Sequence, residues 1–457
     1  MKIMTENTGR SATALSALRA SLHGQLVVPE DPGYEQARST WNATADRTPA
    51  LIAQCNDVAD VQRALGFALE NELPVAVRGG GHSLAGFSTC DAGVVIDLGP
   101  MKGITVEPQA RVAHAEAGLT LGEFDYATQE YGLATTLGIA STTGIAGLTL
   151  GGGLGWLMRK HGLACDNLLS VDLVTADGSL VTANADDNAE LFWGLKGGGG
   201  NFGIATSFDY RLHPVGPTVF GGVVAYGPQT LRDLLQFYRE LTATAPDELT
   251  AYAALTATPD GSAVAAMAAC YAGNLPAGEK VLAPARSAVG TPLLDALGPL
   301  PYTDQQKRAD AAYPPGQYHY WKSCFLDDLT DDVIEVLADR WPAAQSPPLL
   351  EIIVEHMGGA VATGDGAFGH RDAHYDVLID ANWIEESDGE RCVTWARETA
   401  AALAPYARGG YVNYEPDSDV AGLRSAYGDR YGRLSSLKAR YDPQNVFRLN
   451  QNIAPGN

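Results

Sequence analysis

The run Val75-Ala-Val-Arg-Gly-Gly-Gly-His82-Ser-Leu-Ala-Gly86 constrains this chain more than any other feature. An apolar strand enters three consecutive glycines and then presents one imidazole. Glycines lack Cβ, so such a backbone can approach a ligand closely and aim several N–H groups at it, which suits a pyrophosphate. A histidine fixed beside that cradle can ligate, titrate or form a covalent bond. Two more glycine blocks follow, Gly151-Gly-Gly-Leu-Gly155 and Gly197-Gly-Gly-Gly-Asn-Phe-Gly203. The last contains a formal G-x-G-x-x-G, but it follows a helical pattern and opens a strand, the reverse of a dinucleotide fingerprint. Taken singly, each block reads as a tight turn. Three of them, one carrying a histidine, read as ligand-approach loops.

At 457 residues the chain exceeds one ordinary core, so two domains are expected. The balance of 31 basic against 54 acidic residues, without a Lys/Arg cluster, argues against nucleic acid as a partner. Six scattered cysteines without C-x-x-C spacing argue against a disulfide scaffold or zinc ribbon. Residues 1–7 carry no apolar leader, and no run of eighteen apolar residues occurs, so neither secretion nor membrane spanning is expected and the cytoplasm is the default location.

Periodicity predicts a helix over 57–69 with Asp57 as its N-cap, and strands over 75–77, 94–98 and 111–117. A helix over 121–131, a hairpin over 168–182 turning at Asp177-Gly178, a helix over 187–195 and a strand over 202–212 complete a glycine-studded unit. Beyond residue 217 Ala-rich helical stretches alternate with strands over 318–326, 350–357 and 375–382. The end of the chain has too few apolar residues for a core of its own and is expected to pack back on the first unit. The expectation is an α+β chain: domain 41–214, domain 215–408, and a returning segment 409–457. His370 and His374, near Asp365 and Asp372, read as an exposed loop, and no metal is expected. Cys165 reads as a small buried hydrophobe.

Several of these segments together resemble a family. They are Arg78-Gly-Gly-Gly-His-Ser83, Thr143-Gly-Ile-Ala-Gly-Leu-Thr-Leu-Gly-Gly-Gly153, Gly162-Leu-Ala-Cys-Asp-Asn-Leu168, Gly197-Gly-Gly-Gly-Asn-Phe-Gly-Ile204, Tyr411-Val-Asn-Tyr414 and Tyr441-Asp-Pro-Gln-Asn-Val-Phe447. The chain is similar to the berberine-bridge-enzyme-like and 6-hydroxy-D-nicotine-oxidase-like branch of the vanillyl-alcohol oxidase / p-cresol methylhydroxylase superfamily. The resemblance implies a p-cresol-methylhydroxylase-type FAD-binding domain and a substrate domain with an antiparallel sheet backed by helices. It implies FAD bonded through its 8α-methyl to His82. Around it the resemblance sets Arg78, Gly79, Gly80, Gly81, Ser83, Gly86 and Phe87 from the first block. Ala140, Thr142, Thr143, Gly144 and Gly147 come from the next segment, with Gly151, Gly152, Gly153, Gly155 and Trp156. Gly203, Ile204, Tyr411, Asn413 and Asn450 complete the cofactor set.

Many relatives attach the flavin a second time through a cysteine. Here that position is Ala140, in Gly138-Ile-Ala-Ser-Thr-Thr-Gly144, so a single covalent link is expected. Thr143 stands where relatives often carry Val, Ile or Leu that tunes oxygen access. Phe368 stands where several relatives have tyrosine, so a second catalytic phenol is not expected there.

Flavin oxidation of an alcohol or amine needs a donor carbon facing N5 and a base for the heteroatom proton. By resemblance that base is Tyr414. A phenol with a pKa near 10 needs help to act at neutral pH. Alternation sets Tyr318, Tyr320 and Lys322 on one strand face, and Glu351, Ile353, Glu355 and Met357 on another. Tyr320, Lys322 and Glu355 are the candidate partners of Tyr414, with Glu355 as a proton relay. The implied reaction is oxidation of a sugar, secondary-metabolite alcohol or heterocyclic amine, with O2 as acceptor, by a monomer or homodimer. The alternatives are an FAD-dependent dehydrogenase using another acceptor, a nicotinamide-dependent or nucleotide-binding reductase of related fold, and a protein that binds FAD without chemistry.

Overall fold

Asp57 caps the core helix Val58–Glu70. Its carboxylate accepts the Asp60 N–H at 3.0 Å, and Val61, Ala64, Leu65 and Ala68 on Val58–Glu70 form the buried stripe. In a computed structural model, residues 8–258, 260–341, 349–417 and 419–456 are described. The leader reading for residues 1–7 lies outside them. Among the described residues, no helix is long and apolar enough to cross a membrane.

Among the described residues, the first unit holds two sheets besides the two-stranded pair of Leu133–Ala134 with His213–Pro214. One has the order Gln25–Val27, Leu51–Gln54, Val94–Asp97, Val75–Arg78, and its last three strands run parallel. The other is antiparallel, in the order Ile104–Glu107, Val112–Glu116, Ile204–Arg211, Leu168–Val174, Leu180–Asn184. The glycine block at 197–203 joins the helix Ala189–Leu195 to the strand Ile204–Arg211, which is why it cannot serve as a strand-to-helix phosphate fingerprint.

The second unit is an eight-stranded antiparallel sheet. Its central order is Thr218–Tyr226, Ala263–Tyr271, Leu249–Ala257, Leu349–His356, Tyr375–Trp383, Tyr318–Leu326; two short strands, Leu294–Asp295 and Gly298–Pro301, flank Thr218–Tyr226. One face carries Ile352, Val354, Val377 and Ile379 against the helices Leu231–Ala243, Asp331–Arg340 and Gly389–Leu403. The opposite face, through Tyr252, Ile353 and Leu378, joins the core of the first unit. Side chains alternate along a strand, so the two cores fix which residues look at the space between the units.

The C-terminal helix Tyr431–Tyr441 buries Leu434 and Leu437 against the first unit, where Gly194 and Gly198 leave room for them. Lys438 is wholly buried and donates to Asn201 O, Phe447 O and the Asp442 carboxylate at 2.6–2.8 Å. That knot fixes the segment 442–447 and the Asn450 that follows it.

Candidate active site

The strand Val75–Arg78 delivers the chain into the Gly79–His82 turn at the edge of a cavity of about 320 Å³, a size usual for small-molecule and cofactor sites. Gly80 packs backbone to backbone on Gly144: a Cβ added to either would fall 2.3 Å from the other's nitrogen. Gly147 and Gly200 also line the cavity, and a Cβ there would meet no protein atom within 4 Å, so it would project into the space a ligand needs. Asn450 Oδ1 and Tyr427 Oη are buried wall atoms without a protein hydrogen-bond partner. Among the described residues, no lysine or arginine lines the cavity, so the residues present suit an anion held by backbone N–H groups. This donor set and backbone cradle fit FAD.

Among the cofactor candidates, the first block contributes Gly79, Gly80, Gly81, His82, Ser83 and Phe87 to the lining. Ala140, Thr143, Gly144, Gly147, Gly203 and Ile204 join them, as do Tyr411, Asn413 and Asn450. The remaining candidates are not lining residues. Arg78 is spent on a buried ion pair with Asp97 at 2.8 Å. Gly86 packs on Ala45, and Thr142 meets His82 through its backbone. Gly151 lies under the Asn413 amide and Gly152 under the Phe368 ring. The Gly153 N–H donates to Tyr411 Oη at 2.9 Å. Gly155 backs on Leu137 O, and Trp156 stacks on Tyr252 with centroids 4.6 Å apart. The second glycine block therefore supports Tyr411 and Asn413 from behind.

His82 is half-buried, and its ring stacks on Trp41 at 4.7 Å and 12°. Burial, with His319 nearby, pulls its pKa down to about 4, so the imidazole is neutral at physiological pH. Thr143 Oγ1 lies 3.4 Å from Nδ1. Cys165 is fully buried away from the lining, and burial pushes its thiol well up.

The opposite wall comes from the sheet. Ile353, Leu378 and Trp321 line the cavity, and four carboxyls sit on the same face: Glu351 opposite Asp380 and Glu355 opposite Asp376. All four are buried. Burial raises each pKa, and Asp376 is pushed up to about 7. Tyr414 ends the turn Val412–Tyr414, where the Tyr411 N–H donates to Ser323 Oγ at 2.8 Å. Its ring is held edge-on by Tyr411 and Trp321 at 4.8 and 5.6 Å, and its hydroxyl donates to Glu355 Oε1 at 3.3 Å. Burial, then the Glu355 charge, raises the phenol well above 10, so Tyr414 is a neutral phenol with a carboxyl acceptor behind it. Ser323 Oγ in turn donates to Asp376 Oδ1 at 2.5 Å.

Two catalytic candidates lie elsewhere. Tyr320 and Lys322 do share a strand face, but it is the face toward the helix Gly389–Leu403. Tyr320 Oη donates to Asp417 and accepts from Arg397 Nε, both at 2.8 Å. Lys322 binds Glu415 at 2.8 Å and Asp417 at 2.5 Å, so it braces Glu415, the residue after Tyr414. Trp321, between them, faces the cavity. Phe368 packs on Tyr411 outside the lining. His370 Nε2 meets Ser425 O at 2.6 Å. Trp41, Tyr313 and Trp321 also line the cavity and were not singled out from the sequence; Gly199–Gly200 line it too, within the third glycine block that reads as a ligand-approach loop.

Residues 49–184 match the family model for an FAD binding domain, and residues 410–454 match that for the berberine and berberine-like segment. An FAD-linked oxidoreductase of Dictyostelium discoideum is 32% identical over 95% of both chains. A xylooligosaccharide oxidase of Thermothelomyces thermophilus is 28% identical over 97% of this chain and 98% of its own. The crystal structure of 6-hydroxy-D-nicotine oxidase from Arthrobacter nicotinovorans superposes with a TM-score of 0.88 at 27% identity, covering 95% of this chain and 99% of that one. The chain belongs to the FAD-linked oxidoreductases with a p-cresol-methylhydroxylase-type FAD-binding domain and a berberine-like C-terminal segment.

Proposed function

We propose that this enzyme is an oxidase that takes a hydride from an alcohol or amine carbon of a small molecule, a sugar, secondary-metabolite alcohol or heterocyclic amine. The observation that carries the reading is the convergence of His82, the glycine cradle and Tyr414 on one cavity, with the Glu355 carboxyl behind the phenol. FAD, bonded to His82 alone, would supply a two-electron acceptor, with O2 as the final oxidant and hydrogen peroxide as the product. Residues 41–214 with 409–457 bind it, and 215–408 form the wall against which the substrate lies. The backbone of Gly79–Gly81 and Gly144–Gly147 would cradle the pyrophosphate and sugar chain. Ile353, Leu378 and Trp321 exclude water from the reacting carbon.

Tyr414 receives the substrate's heteroatom proton as its own proton moves to Glu355. A carboxylate facing the phenol raises its pKa, so relay rather than phenolate formation is the workable role. Asp376, opposite Glu355 and itself pushed up to about 7 by burial, adds a like charge that further raises Glu355. A monomer or homodimer in the cytoplasm belongs to the same reading; six buried free cysteines suit a reducing compartment.

The test is an anaerobic screen of sugars, alcohols and amines for bleaching of the oxidised-flavin band. Bleaching followed by recovery in air with stoichiometric peroxide supports the oxidase. Bleaching without recovery in air would make it a dehydrogenase. Reduction by NAD(P)H and by no organic substrate would overturn the reading.

A further inference from the structure

We infer that Trp41, held between the imidazoles of His82 and His319, is a positioning residue for attachment of the flavin to His82; the inference rests on the covalent link proposed above. His82 follows three glycines, whose backbone freedom would leave an imidazole free to sweep its χ angles. Trp41 removes that freedom. Its indole stacks on His82 at 4.7 Å and 12° on one side, and on His319 at 3.8 Å and 9° on the other. The tryptophan is itself pinned at both ends: its backbone N–H donates to Gly81 O at 3.2 Å, and its indole N–H to Tyr313 O at 3.0 Å.

The next residue locks the stack to both units. Asn42 is fully buried. Its amide donates to Leu84 O at 3.1 Å and to His319 O at 3.0 Å, and its carbonyl accepts the His319 N–H at 3.0 Å. His319 Nδ1 is bonded in turn to Asn382 Oδ1 on the neighbouring strand. The plane of the His82 ring is thus referenced to the same sheet that carries Ile353, Leu378 and Glu355.

Attachment forms a C–N bond between a ring nitrogen of His82 and the flavin 8α carbon. One methyl C–H and the imidazole N–H are lost as two protons, and the two electrons released reduce one O2 to H2O2. The attacking nitrogen needs a free lone pair in a fixed direction. The aromatic stack supplies the direction, and the depressed pKa that keeps His82 uncharged preserves the lone pair. Orientation of a nucleophile governs rate more than affinity, so loss of the stack should slow bond formation while FAD still occupies the cradle.

The experiment is the time course of covalent incorporation in air with added FAD, read by intact mass of denatured protein and normalised to total bound flavin. Trp41→Phe keeps a flat ring between the two imidazoles, while Trp41→Leu keeps apolar bulk without a face. The expected result is incorporation within about threefold of the parent for Trp41→Phe and slowed by about tenfold or more for Trp41→Leu, at equal flavin occupancy. Trp41→Leu incorporating within about twofold of the parent would overturn the positioning role. So would a loss in both variants that follows flavin occupancy alone. A parent chain with no covalent flavin at all would instead show that the attachment reading had failed, and this inference with it.

Discussion

Replacing Tyr414 by phenylalanine removes one oxygen and leaves the ring where Tyr411 and Trp321 hold it, edge-on at 4.8 and 5.6 Å. Folding and flavin content should survive, because the lost hydrogen bond to Glu355 is long, at 3.3 Å. The kinetic loss should be large. With the phenol pushed above 10 by burial and by Glu355, fewer than about one molecule in a thousand carries a phenolate at neutral pH, so the proposed reaction calls for a relay from Tyr414 to Glu355. Positioned proton transfer contributes about 10²–10⁴ in rate, or about 3–5 kcal/mol of barrier. Rapid-mixing reduction of the Phe variant should fall by that factor with little change in substrate binding.

Glu355→Gln removes the acceptor and should cost a similar factor. The double variant should be no slower than the worse single, since the two act as one unit. The parent's reduction rate should rise as pH passes through the ionisation of the Glu355–Asp376 pair, whose members burial raises, Asp376 to about 7. That limb should vanish in Glu355→Gln. A Phe variant within about threefold of the parent would refute the relay.

Three further outcomes follow from packing and charge. Asp125 is fully buried on Leu121–Gln129, accepts from Gln306 Nε2 at 2.9 Å, and is pushed by burial to about 7. Its raised pKa means that stability is intact below about pH 4 and falls as pH rises through about 7, by up to about 4 kcal/mol. Asp125→Asn also offers a donor to the unpartnered Gln306 Oε1, so it should melt higher than the parent near pH 8 and not near pH 4; an equal gain at both would exclude ionisation as the cause. Gly80→Ala forces a methyl against Gly144 and should sharply reduce FAD content in the purified protein; full occupancy would show that the two turns can part freely. Lys438→Met leaves Asp442 buried and unpaired and should cost about 3–5 kcal/mol in urea unfolding; a loss below about 1 kcal/mol would mean that water reaches the site.

The glycine cradle was legible because consecutive glycines ahead of a histidine have few structural uses other than close backbone approach. The helix cap at Asp57 and the strands at 318–326, 350–357 and 375–382 were legible from periodicity, and they fall where expected within one or two residues. Strand alternation grouped Tyr320 with Lys322 correctly but could not say which face met the cavity. Most residues of Tyr318–Leu326 are buried, since helices cover one side and the first unit the other, so no polar stripe marks an outside. The same double burial hid Asp376 and Asp380, whose alternation with Val377 and Ile379 imitates a solvated face. Trp41 and His319 lie far apart in sequence, and neither strand nor helix periodicity signals a stack made by folding. Gly151–Gly155 read as ligand loop; in the structure, close packing against Asn413, Phe368 and Leu137 is what requires those glycines.

Attachment of the flavin to His82 alone ties the cavity to its proposed chemistry. Digesting the denatured protein and sequencing its flavin-fluorescent peptides by mass spectrometry tests that directly. The result predicted is one modified peptide, with FAD on His82, and none in His82→Ala. Flavin found on Cys165, or released entirely into the supernatant, would contradict it.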